Sequence, residues 1–172
     1  MASIVKIDFV DFGPVRVIGK EVKAKVDEEN NPIPQFWMKC FEDGTFRTLE
    51  AIASDVVNPA YIGWEGEYDP NSGVFSYIVG MFMKPNTPVP DGFTYRDLPA
   101  CKMAIGWIKG EEPEIYMKGM DLTIAAMREK GYEYDDAEGY MVEVYTCERF
   151  VTPQNKGEKE IILDYYMPCK RL

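Results

Sequence analysis

Residues 60–84 read AYIGWEGEYDPNSGVFSYIVGMFMK, and this stretch decides the fold. Two runs rich in aromatic and β-branched residues stand on either side of Asp69-Pro70-Asn71-Ser72-Gly73, a composition typical of a turn. Consecutive strands joined by so short a connection pair antiparallel. The stretch therefore predicts a β-hairpin whose strands cover residues 60–68 and 74–84.

A strand and a helix are predicted ahead of this hairpin. Residues 15–26 alternate in the period-2 pattern of a strand. Residues 30–34, NNPIP, combine an asparagine cap with proline in the first helical turn. Apolar residues then recur at helical spacing over residues 35–42, so the order is strand, helix, strand, strand.

The same order recurs after a proline-rich connector at residues 85–92, PNTPVPDG. Residues 101–109 alternate as a strand, residues 115–130 carry a long helical pattern, and residues 140–150 and 159–167 again predict strands. A repeat of this length indicates duplication of one β-α-β-β unit rather than a solenoid of short repeats.

The repeat predicts a single α+β domain with pseudo-twofold symmetry, whose halves cover about residues 1–85 and 95–172. The strands are expected to form an antiparallel sheet because each half contains a hairpin. We expect the helices on one sheet face and a concave ligand cleft on the other.

Histidine is absent from all 172 residues, which excludes Ser-His-Asp and Cys-His catalysis and histidine-ligated metals. Acid–base chemistry is left to Asp, Glu, Lys, Tyr or Cys. The four cysteines are far apart and include no Cys-x-x-Cys pair. We therefore expect free thiols in a reducing cytoplasm, no metal site and no cofactor.

The chain carries 19 Lys and Arg against 29 Asp and Glu, a formal net charge of −10. This balance argues against direct nucleic-acid binding, which needs clustered basic side chains, and mildly favours cationic or neutral ligands. Neither a secretory signal nor an apolar run of membrane-spanning length is visible. We expect a cytoplasmic protein that does not contact a membrane, and the sequence leaves its oligomeric state open.

The strand predicted at residues 140–150 presents two different faces. One carries Met141, Glu143, Tyr145 and Cys147, and the other carries Val142 and Val144. The valines suit the face beneath the helices, which places Glu143 and Tyr145 on the opposite, concave face. An ordinary solvated sheet face would show the same alternation.

Other aromatic and apolar residues are candidate liners of the same cleft. Tyr61 and Trp64 lie on the first strand of the hairpin, Tyr77 and Met81 on the second, and Trp107 on the strand at residues 101–109. Such rings attract a lipophilic cation, and burial strengthens both the cation–π and the charge–charge attraction to a carboxylate.

An ordered set of short motifs resembles the GyrI-like, or AraC-type effector-binding, superfamily. The set comprises Phe36-Trp37, Tyr61-x-Gly63, Phe75-x-Tyr77-x-x-Gly80, Pro90-Asp91-Gly92 and Glu143-Val144-Tyr145. The motifs span nearly the whole chain in the family's order. The resemblance implies a duplicated β-α-β-β fold, SHS2-like, with a ligand cleft between the halves, in a stand-alone bacterial protein.

The resemblance also implies a small-molecule site. Related drug-responsive activators bind hydrophobic, often cationic compounds, as multidrug binders, against an acidic residue that Glu143 matches. Unlike those activators, this sequence shows no helix-turn-helix region. Sequestration or chemistry is therefore favoured over direct transcription control. Of these two, binding is favoured, because one carboxylate in an aromatic cleft suffices for capture, whereas turnover also needs a positioned water and an oxyanion donor.

Two alternatives follow from other branches of the superfamily. Some stand-alone members are hydrolases of cyclopropanoid toxins, for which Glu143 would be the general base and Tyr145 or Tyr77 the oxyanion donor. Other members protect DNA gyrase, and a role as a co-regulator of a separate DNA-binding protein is also compatible with the resemblance.

Overall fold

The computed structural model describes residues 1–172, apart from the side chain at position 53. Its strands are β1 (Ser3–Phe12), β2 (Val15–Lys25), β3 (Tyr61–Gly66), β4 (Val74–Met83), β5 (Thr94–Leu98), β6 (Cys101–Gly110), β7 (Tyr132–Tyr134), β8 (Tyr140–Tyr145) and β9 (Ile161–Arg171). Its α-helices are α1 (Ile33–Glu42), α2 (Thr45–Glu50), α3 (Glu114–Glu129) and α4 (Thr152–Asn155). Short 3-10 and π-helical turns cover Ala53–Asp55 and Cys147–Val151. Among the described helices, none is both long and apolar enough to cross a bilayer.

The chain divides into two compact units. One, here called the central unit, is Gly13–Ala100. The other, here called the terminal unit, combines Met1–Phe12 with Cys101–Leu172. The expected halves began at residue 1 and residue 95, whereas the first twelve residues group with the second half of the sequence. They do so because β1 pairs antiparallel with β6 over most of its length.

The central unit is an antiparallel sheet in the order β3-β4-β2-β5 with α1 and α2 on one face. Its core lies between that face and the two helices. The strands contribute Ile18, Tyr77, Val79, Met81 and Met83, and the helices contribute Cys40, Phe46 and Leu49. Burying these side chains supplies the main stabilising free energy of the unit.

The terminal unit repeats this plan in the order β1-β6-β9-β8, with β7 paired to β9 and α3 on one sheet face. The strands bury Ala104, Ile108, Met141, Leu163, Tyr165 and Met167 against Ile115 and Met127 of α3. Both units are thus antiparallel sheets with a helix-bearing face. This confirms the predicted α+β class.

The sequence pattern does not predict β1, β5 or α2, and each has its own physical reason. In β1 the pairing register shifts between Ile4 and Lys6, so Ile4, Ile7 and Phe9 can pack on one side although their spacing is irregular. β5 is only five residues long and mostly polar. α2 follows α1 directly, because the Asp43 side chain accepts a hydrogen bond from the Thr45 backbone N–H at 3.0 Å and starts a new helix.

The prediction of a strand over residues 140–150 is wrong for residues 146–150. β8 ends at Tyr145, and the Thr146 hydroxyl oxygen accepts a hydrogen bond from the Arg149 backbone N–H at 3.3 Å. That cap begins the π-helical turn, and Pro153 carries the chain on into α4. Cys147 therefore lies in an exposed helical turn and not on the strand face with Glu143.

The closest contact between helix and sheet in the terminal unit lies at Gly119. A Cβ atom at this position of α3 would overlap the ring of Tyr165, whose hydroxyl donates to the carbonyl oxygens of Ile115 and Tyr116 at 3.2 and 3.3 Å. Only glycine lets the helix backbone approach the buried tyrosine this closely.

We expect Gly119→Ala to lower the free energy of unfolding by about 1–3 kcal/mol, although alanine is the better helix former, because the methyl group displaces Tyr165. The measurement is urea unfolding followed by circular dichroism. Asp121→Ala, at an exposed position of the same helix, is the matched control and should change stability little. Equal or greater stability of the Gly119 variant would show that the helix does not rest on Tyr165.

Candidate functional site

Glu143 is a buried carboxylate of the terminal unit. It lies on β8 and is 8% exposed. The Tyr145 hydroxyl donates a hydrogen bond to Glu143 Oε2 at 2.6 Å, and the Tyr145 ring meets Phe150 edge-on at 4.8 Å between centroids. The carboxylate is thus shielded from water and flanked by aromatic side chains.

Tyr116 on α3 packs against the same core cluster as Tyr145. Its hydroxyl donates to Glu112 Oε1 at 2.7 Å. Burial raises the pKa of Tyr116, and the hydrogen bond to Glu112 and the negative charges of Glu112 and Glu143 raise it further. Tyr116 and Tyr145 pack against the same core cluster, and Glu143 lies opposite Tyr165 of that cluster, so the phenol of α3 and the carboxylate of β8 lie on the same side of the sheet.

The expected orientation of β8 is therefore wrong. Met141 and Tyr145 pack in the cluster that contains Ile115 and Met127 of α3, so the face that carries Glu143 is the helix-bearing face. Val142 and Val144, expected beneath the helices, are fully buried on the opposite face. Alternation separated the two faces correctly, but both are apolar enough to be buried, and the pattern alone did not indicate which one α3 covers.

Glu65 is the corresponding carboxylate of the central unit. It is partly buried at the end of β3, directly opposite Tyr77 of β4 in the pairing register. Glu143 lies opposite Tyr165 of β9 in the same way. Each unit therefore sets one glutamate beside a buried tyrosine on its helix-bearing face.

Burial raises the pKa of Glu65 to about 7, and no other cause contributes. Within the described residues, no hydrogen bond or ion pair involves this carboxylate. Its neighbour Glu67 differs, because the Arg96 guanidinium donates to it at 2.6 Å and holds its pKa below the usual value. Sequence analysis did not single out Glu65, although aligning the two hairpins by Tyr77 and Tyr165 would have found it.

Four aromatic rings form a cluster on the helix-bearing face of the central unit. This aromatic cluster consists of Trp37, Phe41, Phe46 and Tyr61. Phe46 stacks on Tyr61 with 3.7 Å between centroids, and the Tyr61 hydroxyl donates to Glu50. Phe41 is 60% exposed, so the cluster presents an aromatic surface to solvent.

Tyr77 connects this cluster to Glu65. Its hydroxyl accepts a hydrogen bond from the Trp37 indole N–H at 3.1 Å. The same hydroxyl lies so close to Gly63 that any side chain at position 63 would overlap it. Tyr77 and Met81, both predicted liners, are 1% and 2% exposed, so they form the floor of this face rather than its surface.

The predicted liners Trp64 and Trp107 are not brought together with the others. Trp64 pairs with Ile78, on the face of β3 opposite Tyr61, and Arg96 lies 5.5 Å from its ring centroid. Trp107 pairs with Asp164 on the face of β6 opposite the α3 core.

Trp107 already contacts two cationic side chains. The Arg149 guanidinium carbon and the Lys6 ammonium lie 4.1 and 4.4 Å from its ring centroid. Arg149 also donates two hydrogen bonds, at 3.0 and 2.5 Å, to Asp164, which is 1% exposed. This tryptophan therefore packs against an internal ion pair.

A separate groove of about 360 Å³ opens beside α1 in the central unit. It is lined by Lys20, Glu21, Phe36, Lys39, Asp43 and Phe93, among others. Lys20 is already engaged, because its ammonium group donates to the Gly92 carbonyl at 3.0 Å and lies 4.4 Å from the Phe93 ring centroid. The groove contains none of the predicted site residues.

In the part of the chain that the structure describes, no three Cys, Asp or Glu side chains are arranged to hold a metal ion. The four cysteines are free thiols, of which Cys40 and Cys169 are buried.

The fold and the acidic, aromatic faces define a class of protein. The GyrI-like small molecule binding domain matches residues 6–170, so the chain belongs to the GyrI-like family. Comparison with curated proteins finds no significant sequence match.

Solved structures share the fold at low sequence identity. The structure of SAV2435 bound to tetraphenylphosphonium is 13% identical with a TM-score of 0.70, and the match covers 96% of this chain and 94% of that one. The C-terminal domain of EcmrR is 11% identical with a TM-score of 0.61, covering 97% and 98%. A hydrolase encoded by lin2189 from Listeria innocua is 10% identical with a TM-score of 0.54, covering 96% and 92%.

We expect Glu65→Gln to stabilise the protein above neutral pH. The raised pKa means that the folded state holds the Glu65 proton more tightly than the unfolded state. Stability is therefore lost as the pH rises from about 4.5 to about 7, and the loss is complete above that range. Glutamine has no proton to lose, so the variant should exceed the parent by up to about 3 kcal/mol at pH 8 and match it at pH 4.

Urea unfolding at several pH values measures this difference. Glu67→Gln, two residues along the chain, removes a carboxylate that Arg96 stabilises and should not raise stability at pH 8. A Glu65 variant less stable than the parent at pH 8 would mean that the carboxylate has a stabilising partner in the folded protein.

Proposed function

We propose that this protein captures hydrophobic small molecules that carry a positive charge, with Glu143 as the anionic contact. The observation that carries the proposal is the placement of that carboxylate, which is 8% exposed and flanked by Tyr145 and by Tyr116 of α3. A negative charge in such surroundings gains from a cation that brings its own apolar surface, because the ligand replaces water without leaving the charge unpaired.

The aromatic rings supply the second part of the attraction. A cation held over the face of a tyrosine gains about 0.5–2 kcal/mol, and more as water is excluded. On the face that carries Glu143, the rings are those of Tyr145, Tyr116 and Phe150. Tyr77 and Tyr61 offer similar rings in the central unit.

The comparisons support the same class of ligand. The family is a small-molecule binding family, and SAV2435 was solved with tetraphenylphosphonium, a lipophilic cation. We infer that this chain uses Glu143 toward compounds of that chemistry. Trp64 and Trp107 are left out of the proposed site because each lies on the other face of its sheet, against Arg96 and Arg149.

We expect Glu143→Gln to weaken binding of tetraphenylphosphonium by roughly tenfold or more, since about 1.4 kcal/mol of lost charge pairing corresponds to a factor of ten. The shape of the site is retained, because glutamine can still accept the Tyr145 hydrogen bond. Thermal-shift titration and calorimetry measure the loss. Glu148→Gln, which removes a carboxylate whose side chain is 81% exposed, is the control and should bind like the parent.

An unchanged affinity in the Glu143 variant would contradict charge pairing at this residue. Absence of any binding by the parent, across lipophilic cations of different size, would contradict the proposed function itself.

A hydrolase is the second candidate, favoured by the 2.6 Å hydrogen bond between Tyr145 and Glu143. A carboxylate and a phenol in contact form the acid–base pair that addition of water to a strained, carbonyl-conjugated cyclopropane requires. Glu143 would take a proton from water as the oxygen bonds to a ring carbon. The breaking carbon–carbon bond would pass its electrons to the carbonyl, whose oxygen Tyr145 would stabilise. Tyr77 is less suited to this role because it is 1% exposed.

Mass spectrometry of a cyclopropanoid compound incubated with substoichiometric protein separates the two functions. Capture alone predicts unchanged compound. Accumulation of a water adduct beyond one equivalent per chain, lost in Glu143→Gln, would establish turnover and make binding only its first step.

A further inference from the structure

We infer that the helix-bearing face of the central unit around Glu65 is a second cation-binding site, where an incoming lipophilic cation takes the place of the proton on Glu65. This inference rests on the proposed function, because it assumes that the ligands are cations. It extends that function to a residue of the other unit and couples ligand uptake to proton release.

The first argument is that the Glu65 carboxylate has no hydrogen-bond or ion-pair partner among the described residues. The residue is partly buried, yet no hydrogen bond or ion pair of the described residues involves its carboxylate. Other carboxylates of the central unit are engaged: Glu21 and Glu67 hold Arg96, and Asp97 holds Arg16. A partly buried acidic group without a donor in the fold is a candidate for pairing with a partner from outside.

The second argument is the surface beside it. Tyr77 lies directly opposite Glu65 in the register, and the Trp37 indole donates to the Tyr77 hydroxyl at 3.1 Å. The aromatic cluster continues from Trp37 to Phe41, whose ring is 60% exposed. An exposed aromatic surface on the same sheet face as a partly buried carboxylate suits a large, weakly hydrated cation better than an ammonium or metal ion.

The third argument is that no charged side chain among the described residues shifts the pKa of Glu65. The titratable groups on the elements packed at this face are Tyr61 of β3, Tyr77 of β4, Arg16 and Lys20 of β2, Lys39, Cys40 and Glu42 of α1, Asp43 between the two helices, and Arg47 and Glu50 of α2. None of them contributes to the raised pKa of Glu65, which burial alone causes. Among the described residues, no ion pair of Glu65 would have to be broken before a ligand cation could pair with it.

The exchange balances as one proton for one cation. The protonated carboxyl group releases H⁺ to the buffer and its carboxylate pairs with the ligand. With a pKa of about 7, binding at this site releases about 0.9 proton at pH 6, about 0.5 at pH 7 and about 0.1 at pH 8. Affinity for the site accordingly rises roughly tenfold from pH 6 to pH 8.

Isothermal titration calorimetry of the full chain with tetraphenylphosphonium chloride tests the inference. The probe is a permanent cation with no titratable group, so any proton exchanged comes from the protein. Titrations at pH 6, 7 and 8 in two buffers of different ionisation enthalpy give the number of protons released. Triphenylphosphine oxide, a neutral compound with similar rings, should release none.

Variants assign the proton to its residue. Glu65→Gln should abolish proton release and the tenfold rise in affinity, whereas Glu67→Gln, two residues away, should preserve both. Glu143→Gln should weaken total binding and still release the proton at pH 6.

The outcomes separate the two proposals. Binding of the cation without proton release, or release that persists in Glu65→Gln, overturns the inference and leaves the proposed function standing. No binding of the cation to the parent at any pH overturns both.

Discussion

Holding an ionisable carboxyl group away from water costs free energy, and each unit of this protein holds one on its helix-bearing face. In the terminal unit the Tyr145 hydroxyl donates to Glu143 and partly offsets that cost. In the central unit Glu65 keeps its proton to near neutral pH instead. The sheets and helices of the two units hold these two groups in place.

The scaffold uses basic residues elsewhere. Arg96 and Arg149 stand on the faces opposite the helices, where they pair with Glu67 and Asp164 and lie against Trp64 and Trp107. On the helix-bearing faces, buried tyrosines contact the helices. Tyr165 packs against α3 at Gly119, and the Tyr77 hydroxyl accepts a hydrogen bond from Trp37 of α1. Arg96 and Arg149 therefore form their ion pairs on the sheet faces that do not carry Glu65 and Glu143.

Much of this arrangement could be predicted from the sequence, and the exceptions have physical causes. The hairpin at β3 and β4, the helices α1 and α3 and the antiparallel α+β class follow from periodicity and turn composition. β1 was missed because a register shift at Val5 breaks its alternation. The orientation of β8 was assigned to the wrong face because Val142 and Val144 are as apolar as the residues that α3 covers. Glu65 was passed over because its role appears only when Tyr77 and Tyr165 are seen to occupy equivalent register positions.

The account of Glu65 depends on a carboxylate that is partly buried, has no partner among the described residues and is open to an incoming cation. Carbon-13 NMR of the glutamate carboxyl groups, titrated with and without tetraphenylphosphonium and assigned with Glu65→Gln, measures this directly. The account predicts a Glu65 resonance that titrates near pH 7 in the free protein and at least one pH unit lower with the ligand bound. A Glu65 resonance that titrates near pH 4.5 in the free protein, or that does not move when the ligand binds, would contradict it.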